Sequence, residues 1–456
     1  MILKGSPSEV PLKRENISSF DNGINSLSSI AKPDRYRHWN ELAPNSYQIS
    51  RGAGLSLSAA SFGADSISVS HDKFSRILDF NSITGEVEVE AGIRLFELHN
   101  FLISKGFFLS IQPGHGQISI GGCIAADIHG KNQLKDGNFI EQVSSLKLFH
   151  PSHGILELSR DVNSEIFFLT CGGYGLTGHI LSVTLKAQIL PTQEIVTRTH
   201  AFSSIETGLQ LLNEKAKNAD FIHSWHDFSQ PGSKFGSGMI FESSFESIEN
   251  NDKLPPKVKA IYPKSLGNRR RMPAANLIVN SSSISLINKI YKKINPTNIK
   301  GKQIDTADAL FPIHQLQGYY FFFGRKGFHE YQILLPQEVA ADFLRLIGKV
   351  AAELKVPITL ASGKIFGGQQ NLLRFLGDGT CFALNFPRGD KANELLELLD
   401  SNLVQIGGIP NLIKDSRLPR QVAEACYPEI DKFRTLLRNF DSKRIFRSEL
   451  SERLGL

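Results

Sequence analysis

Residues 112–132 read Gln-Pro-Gly-His-Gly-Gln-Ile-Ser-Ile-Gly-Gly-Cys-Ile-Ala-Ala-Asp-Ile-His-Gly-Lys-Asn. Six of these twenty-one residues are glycine or proline, mostly small residues run from Gly121 to Ala126, and a polar tail follows. Glycine costs backbone entropy in helix and strand alike, so the stretch is predicted to be neither. It suits a backbone that lies against something flat and large.

At 456 residues the chain exceeds one simple core, and two domains are expected. Its 41% hydrophobic and 21% charged residues are those of a globular protein, and 31 Phe against 3 Met predict a rigid aromatic core. No apolar run is long enough for a membrane span, and the N-terminus lacks the apolar segment of a secretory signal. Cys123, Cys171, Cys381 and Cys426 are scattered, with no Cys-x-x-Cys pair. This argues against zinc and against a disulfide framework, so no metal is expected and a cytoplasmic location is. A net charge of +6 is compatible with anionic substrates or membrane surfaces and equally with an ordinary solvated surface.

Along the chain, residues 45–58 read as a short strand entering a glycine turn. Such a turn, with its following serines, can wrap a pyrophosphate or be an ordinary tight turn. Strand patterns follow at 66–70, 86–92, 143–149, 154–158 and 179–186, and an amphipathic helix at 94–106 has Gly106 as its C-cap. Residues 74–81 are mixed in character, and 165–178 form a second glycine-rich turn. Beyond Pro191, helices are predicted at 339–354, at 391–406 (closed by Gly407-Gly408) and near 421–438, with strands near 358–360 and 382–386. Residues 245–310, rich in Lys, Arg, Asn, Ser and Pro and containing Arg269-Arg270-Arg271 and Lys292-Lys293, read as mobile surface.

Taken in order, several blocks resemble one family. They are Arg-Gly-x-Gly-x-Ser (51–56), Ile-Leu-Asp-Phe-Asn (77–81), Val-Glu-Val-Glu-Ala-Gly (87–92), Pro-Gly-x-x-Gln-x-x-x-Gly-Gly (113–122), Asp-Ile-His-Gly-Lys-Asn (127–132) and Gly-x-Gly-Leu-Thr-Gly (173–178). Further blocks are Gly363–Gly367, Asn385-Phe-Pro387, Lys414-Asp-Ser-Arg417 and Arg444-Ile-Phe446. The chain resembles the FAD-linked oxidases of the vanillyl-alcohol oxidase and p-cresol methylhydroxylase fold, and within them is most similar to the decaprenylphosphoryl-β-D-ribose 2′-oxidases.

That resemblance implies an α+β, two-domain fold. The FAD domain would cover 1–195, completed by 413–456, and an α/β substrate domain would occupy 196–412. It implies FAD held by Arg51, Gly52, Ala53, Gly54, Leu55, Ser56, Pro113, Gly114, Gln117, Ile118, Gly121, Gly122, Ala126, His129, Asn132, Gly175, Gly178, Ile180 and Lys414. Leu55 stands where covalently flavinylated relatives carry a histidine, so the FAD is expected to be noncovalent. Lys414 and His129 would be catalytic, although on spacing alone Lys414 is a surface lysine pairing with Asp415 and a lone His is usually structural. Trp225, Gln332, Lys364 and Asn385 would line the substrate pocket or equally make packing contacts. Departures from the relatives fall at Leu57-Ser58, at Ala383 (where they carry a cysteine, Cys381 lying two residues away on the same strand face) and at Asn411.

The activity so implied is oxidation of a sugar's secondary hydroxyl, of the kind made on the 2′-OH of a polyprenyl-phosphate-linked pentose as the first half of an epimerisation in cell-wall polysaccharide synthesis. A NAD(P)-dependent short-chain reductase would be the partner, membrane association would be at most peripheral at the inner membrane, and nucleic acid would play no part. One alternative is an aldonolactone-type or other soluble-sugar oxidase. Those relatives commonly end in His-Trp-Gly-Lys, whereas neither Trp39 nor Trp225 lies in such a motif. A flavin-free module binding anionic lipid or nucleic acid would leave the glycine blocks without a purpose.

Overall fold

A computed structural model describes residues 10–42, 46–192, 194–246, 279–311 and 317–456. The fold is α+β, with three principal sheets. The first holds β1 (Leu12–Ser18), β2 (Asn25–Ala31), β3 (Gln48–Arg51) and β4 (Ile67–Ser70) in the order β1-β2-β4-β3, with α1 (His38–Glu41) between β2 and β3. The β2–β4 and β3–β4 pairs are parallel.

The second sheet has the order β5-β6-β10-β8-β9. It is built from β5 (Ile77–Asn81), β6 (Glu86–Glu90), β8 (Val143–His150), β9 (Gly154–Ser159) and β10 (His179–Lys186). α2 (Leu95–Ser104) packs on it through Leu95, Leu98 and Leu102, all fully buried, each side chain contributing about 1.5–3 kcal/mol. Gly106, at φ +78°, ends this helix as expected. A short pair, β7 (Phe107–Phe108) with β11 (Gln188–Ile189), closes one edge.

The expectation that 112–132 avoids helix is corrected over part of its length. α3 (Ile120–Ala125) lies within it and contains Gly121 and Gly122. Ser119 caps the helix, its Oγ accepting from the Gly122 N–H. Gly121 packs closely, because a Cβ there would stand 3.1 Å from both Cβ and the carbonyl oxygen of Ala91. α4 (Gln133–Asp136) follows, and α5 (Ser164–Thr170) occupies the first half of what read as one glycine-rich turn.

The third sheet is an eight-stranded antiparallel array in the order β15-β12-β14-β13-β17-β18-β16-β19. Its strands are β12 (Glu194–Phe202), β13 (Phe221–Asp227), β14 (Ser237–Ser244), β15 (Asn298–Asp305), β16 (Phe328–Leu335), β17 (Leu360–Phe366), β18 (Gly379–Pro387) and β19 (Ile409–Pro410). Strand periodicity divides β16–β18 into two faces. Tyr331, Ile333, Leu335, Ala361, Phe382, Leu384 and Phe386 point into a core shared with α9 (Ala340–Glu353) and α10 (Asp390–Gln405). Their neighbours in sequence form the opposite face, developed below. α6 (Ile205–Ala216) covers β13 and β14.

Three further readings are corrected. Residues 281–310 are not loose surface but α7 (Ser281–Ile294), β15 paired to β12, and α8 (Thr306–Leu310). The remainder of the basic stretch, including Arg269–Arg271, lies outside the described residues. The strand near 358–360 begins only at Leu360 and runs to Phe366, taking in all of the Gly363–Gly367 block but Gly367. The helix near 421–438 is two, α11 (Arg420–Cys426) and α12 (Ile430–Phe440), interrupted at Tyr427-Pro428 because proline disfavours helical backbone in the residue before it. α13 (Glu449–Leu454) ends the chain.

The C-terminal helices return to the N-terminal half. The Gln48 N–H donates to the Ile445 carbonyl at 2.8 Å and the Arg447 N–H to that of Gln48 at 3.0 Å. Leu418, Phe433, Leu437, Leu450 and Leu454 share a core with Ile49, Tyr174 and Leu176.

Candidate active site

A cavity enclosing roughly 990 Å³ of empty space, part of it open to solvent, lies where the first two sheets, α3 and the 172–178 turn meet. One wall is the turn after β3, from Gly52 to Leu57. None of the backbone N–H groups of Gly52, Ala53, Gly54, Leu55 and Ser56 donates to an acceptor among the described residues. Five consecutive free donors facing a cavity form an anion cradle. Gly54 has φ +66°, and the Arg51 guanidinium backs the turn while donating to Ser61 Oγ at 2.9 Å. Gly52 must lack a side chain, since a Cβ would fall 2.0 Å from Ser119 Oγ.

The opposite wall is Ala91, Gly121, Gly122, Ala125, Ala126, Gly175 and Gly178, a smooth surface of small residues. Ile118, Ile128, Ile180, Ile413 and Tyr174 complete its apolar part, and Lys414 stands at its margin. An anion cradle joined to a wide apolar slot fits FAD, a pyrophosphate joined to a flat ring. Gly52–Ser56 would hold the pyrophosphate and the small-residue wall would admit the ring system.

Of the expected cofactor residues, Gly52–Ser56, Ile118, Gly121, Gly122, Ala126, Gly175, Gly178, Ile180 and Lys414 line this cavity. Arg51, Pro113, Gly114, Gln117, His129 and Asn132 do not. The 116–118 segment is held instead against the start of α2, where the Phe96 N–H donates to the Gly116 carbonyl and the Leu95 N–H to that of Ile118. Asn132 Nδ2 donates to the Ser110 carbonyl at 2.9 Å and to Asp136 at 2.5 Å. Ser61, His71, Ser119 and Tyr174 line the cavity and escaped the sequence reading. His71 had no motif to mark it, whereas Ser119 lies inside the glycine stretch itself.

Beyond Lys414 lies the second face of the large sheet. Cross-strand register sets Lys364 beside Cys381, Ser362 beside Ala383, Gln332 beside Ala383, and Glu330 beside Asn385. The Lys414 ammonium lies 3.0 Å from Glu330 Oε1. This differs from the Asp415 pairing that spacing suggests; Asp415 pairs with Arg417 at 3.1 Å.

His129 reaches the same face. Its Nε2 accepts from Gln332 Nε2 at 3.2 Å, its Nδ1 donates to the Gly130 carbonyl at 3.2 Å, and Gln332 Oε1 accepts from Asn411 Nδ2 at 2.6 Å. The chain of bonds is consistent only with a neutral imidazole protonated at Nδ1. Burial, then the positive charge of Lys364, holds its pKa well below the ordinary value. With both ring nitrogens engaged, His129 positions Gln332 more readily than it accepts a proton from substrate.

Lys364 is pulled down by burial and by Lys414. Lys131, whose Nζ donates to the carbonyls of Ala309 and Leu310, is lowered to about 7 by burial and then by Lys364. The Cys381 thiol is pushed up to about 12 by burial, so it stays protonated, 3.7 Å from Gln332 Nε2. Asn385 carries a buried Oδ1 with no partner. Gln332, Lys364 and Asn385 are therefore gathered beside Lys414 and His129. Trp225, on the same sheet, is instead roofed by α7, its ring 4.8 Å from that of Tyr291. Glu330 and Lys131 were missed in the sequence, although Glu330 stands one strand period from Gln332 and Lys131 two residues after His129.

Comparison with known proteins agrees with this geometry. Residues 45–159 match the family model described as FAD binding domain. They form an FAD binding domain of the p-cresol methylhydroxylase type, and the protein is an FAD-dependent oxidoreductase. Over most of its length it is similar to the decaprenylphosphoryl-beta-D-ribose oxidase of Mycolicibacterium smegmatis, with 26% identity covering 90% of this chain and 89% of that one. It is also 26% identical to an uncharacterized protein in the mprA 5′ region of Streptomyces coelicolor, covering 80% of this chain and 100% of that one. The L-gulonolactone oxidase of Bos taurus is 31% identical over 35% of each chain.

Proposed function

We propose that this oxidoreductase oxidises a secondary hydroxyl of a sugar to a ketone, and that the sugar is a pentose carried on a polyprenyl phosphate. The single observation behind this reading is the polar sheet face of Glu330, Gln332, Lys364 and Asn385 meeting the cofactor cavity at Lys414. Hydrogen-bonding groups of both senses on a rigid sheet suit a polyol, and the lysines suit an attached anion. The relative that is similar over nine-tenths of the chain acts, by its name, on a phosphorylated ribose; the lactone oxidases match over about a third to a half.

FAD, when bound, supplies a two-electron acceptor. The protein's own part is to orient the sugar and to stabilise charge. The Lys414 ammonium, held by Glu330, faces oxygen that gains negative charge as its proton departs. Gln332, fixed by His129 and Asn411, has both amide atoms engaged and fixes the floor of the pocket. Leu55 gives the cavity a hydrocarbon where covalent attachment would need a nucleophile, so FAD is held noncovalently. The organisation that follows is an FAD domain of 1–195 completed by 413–456, with 196–412 as substrate domain. A NAD(P)-dependent short-chain reductase acting on the ketone would complete an epimerisation.

The test is an anaerobic titration of the flavoprotein, following the flavin's visible absorption. A polyprenyl-phospho-pentose is expected to bleach it, while galactono- and gulonolactones leave it oxidised. Bleaching by lactones alone would transfer the reading to a lactone oxidase.

A further inference from the structure

α7 presents the wrong side of itself to solvent. Its inward row is largely polar: Asn288 Nδ2 donates to Asp227 Oδ1 at 2.7 Å, and Lys292 Nζ donates to Asp227 Oδ2 at 3.1 Å and to Ser237 Oγ at 2.9 Å. Asp227 is almost fully buried, so these bonds fix the helix's rotation. Ile284, Tyr291 and the stem of Lys292 fill the rest of the contact, against Trp225 among others.

Fixed this way, the helix turns Leu286, Ile287, Ile290 and Ile294 outward, each more than half exposed, and Ile299 on the following strand is 66% exposed. A water-facing helix ordinarily buries such a row. Lys289 and Lys293 flank it, Lys300 and Lys302 follow on β15, and no Asp or Glu occurs from 280 to 304. An aliphatic row framed by lysines and free of carboxylates is the chemistry of a helix lying in a membrane interface. Among the described residues no helix is long and apolar enough to cross a membrane, so the contact would be peripheral.

We infer that the outward face of α7 docks on an anionic lipid bilayer. The aliphatic side chains enter the acyl boundary and the lysines meet the headgroups. A nucleic acid would satisfy the lysines but leave the four aliphatic side chains of the helix uncovered. The inference is independent of the substrate proposed above, because it concerns only where the protein sits.

The experiment is co-sedimentation of the full-length flavoprotein with phosphatidylcholine vesicles, with and without phosphatidylglycerol. Binding is expected only with the anionic lipid and should fall with added salt. Replacing Lys289 and Lys293 by Gln should lower the partition coefficient about twenty-five-fold, from about fivefold per lysine near an anionic surface. The triple variant Ile287→Ser, Ile290→Ser, Ile294→Ser should abolish pelleting, while Ile155→Ser, at an exposed position on β9, should not. Flavin content and circular dichroism should be unchanged in all, since the altered side chains are exposed.

Equal pelleting with neutral and anionic vesicles, or none, overturns the inference. So does a triple variant that still pellets, or one whose only change is from dimer to monomer by light scattering, which would assign the face to a second copy. Flavin reduction measured without vesicles keeps the two proposals separable.

Discussion

Replacing Lys414 by Met separates a catalytic ammonium from a structural one. The side chain is 33% exposed and its partner Glu330 12%, with 3.0 Å between the charges. A pair this open to solvent contributes about 0.2–1 kcal/mol to stability, so the unfolding midpoint in urea should move little. Removing a fixed positive charge from oxygen that becomes negative during reaction costs far more, about 2.7–4 kcal/mol, or 10²–10³ in rate. Glu330 is not left alone by the change, because the Lys364 charge also acts on it. Stopped-flow measurement of flavin reduction under anaerobic conditions, at saturating substrate, should therefore show a loss of that size with flavin still bound. The double variant Lys414→Met, Glu330→Gln decides what the loss means. If the lysine only neutralised Glu330, the second substitution would restore the rate; it is expected to recover no more than a few-fold. Restoration to near the native rate, or a Lys414→Met protein that reduces its flavin normally, would refute the assigned role.

Three further outcomes are expected. Gly52→Ala drives a Cβ to 2.0 Å from Ser119 Oγ and should displace the anion cradle, lowering the FAD-to-protein ratio on purification. Ser119→Gly added to it should recover part of that ratio, since glycine at an N-cap costs only a few tenths of a kcal/mol. Acid precipitation should release all flavin into the supernatant; flavin that stays with the pellet would contradict noncovalent binding. The Lys131 ammonium titrates near 7 when folded, below its ordinary 10.5, so the unfolded chain binds more protons between those values. Stability should then rise with pH across that window, the contribution being lost as pH falls through about 7. Urea unfolding of Lys131→Met at several pH values should give a flatter dependence than the native chain.

Much of the cofactor site was legible in the chain because its requirements are local. Gly52 and Gly54 lie two residues apart in one turn, and a turn that leaves its amides unpaired needs residues of that size there. Gly121, Gly122, Ala125 and Ala126 are small where they line the cavity, although the pattern did not reveal that this segment coils into α3. Ser119 caps that helix, and Ala91, thirty residues earlier, packs closely against it at Gly121. Pro113, Gly114 and Gln117 share the glycine-rich texture yet do not line the cavity, and their neighbours Gly116 and Ile118 accept bonds from the start of α2. Composition alone does not distinguish a backbone close to a ligand from a backbone close to another backbone.

The polar face of the large sheet was legible only in fragments. Lys414, Gln332, Lys364 and Asn385 lie on four segments, and nothing in their own neighbourhoods joins them. They meet because β16, β17, β18 and the segment after β19 are neighbours in one sheet, and because strand alternation turns every second side chain away from α9 and α10. Glu330 as the partner of Lys414, the closed bonding of His129, and the roofing of Trp225 by α7 are likewise consequences of packing between distant segments. The sequence by itself determined where backbone is bare enough to lie against a flat group and where a glycine turn could wrap an anion, since those demands fall on consecutive residues. Tertiary structure alone decided which charges surround the reacting oxygen, because electrostatic strength depends on distance and burial, and neither exists until the sheet is folded.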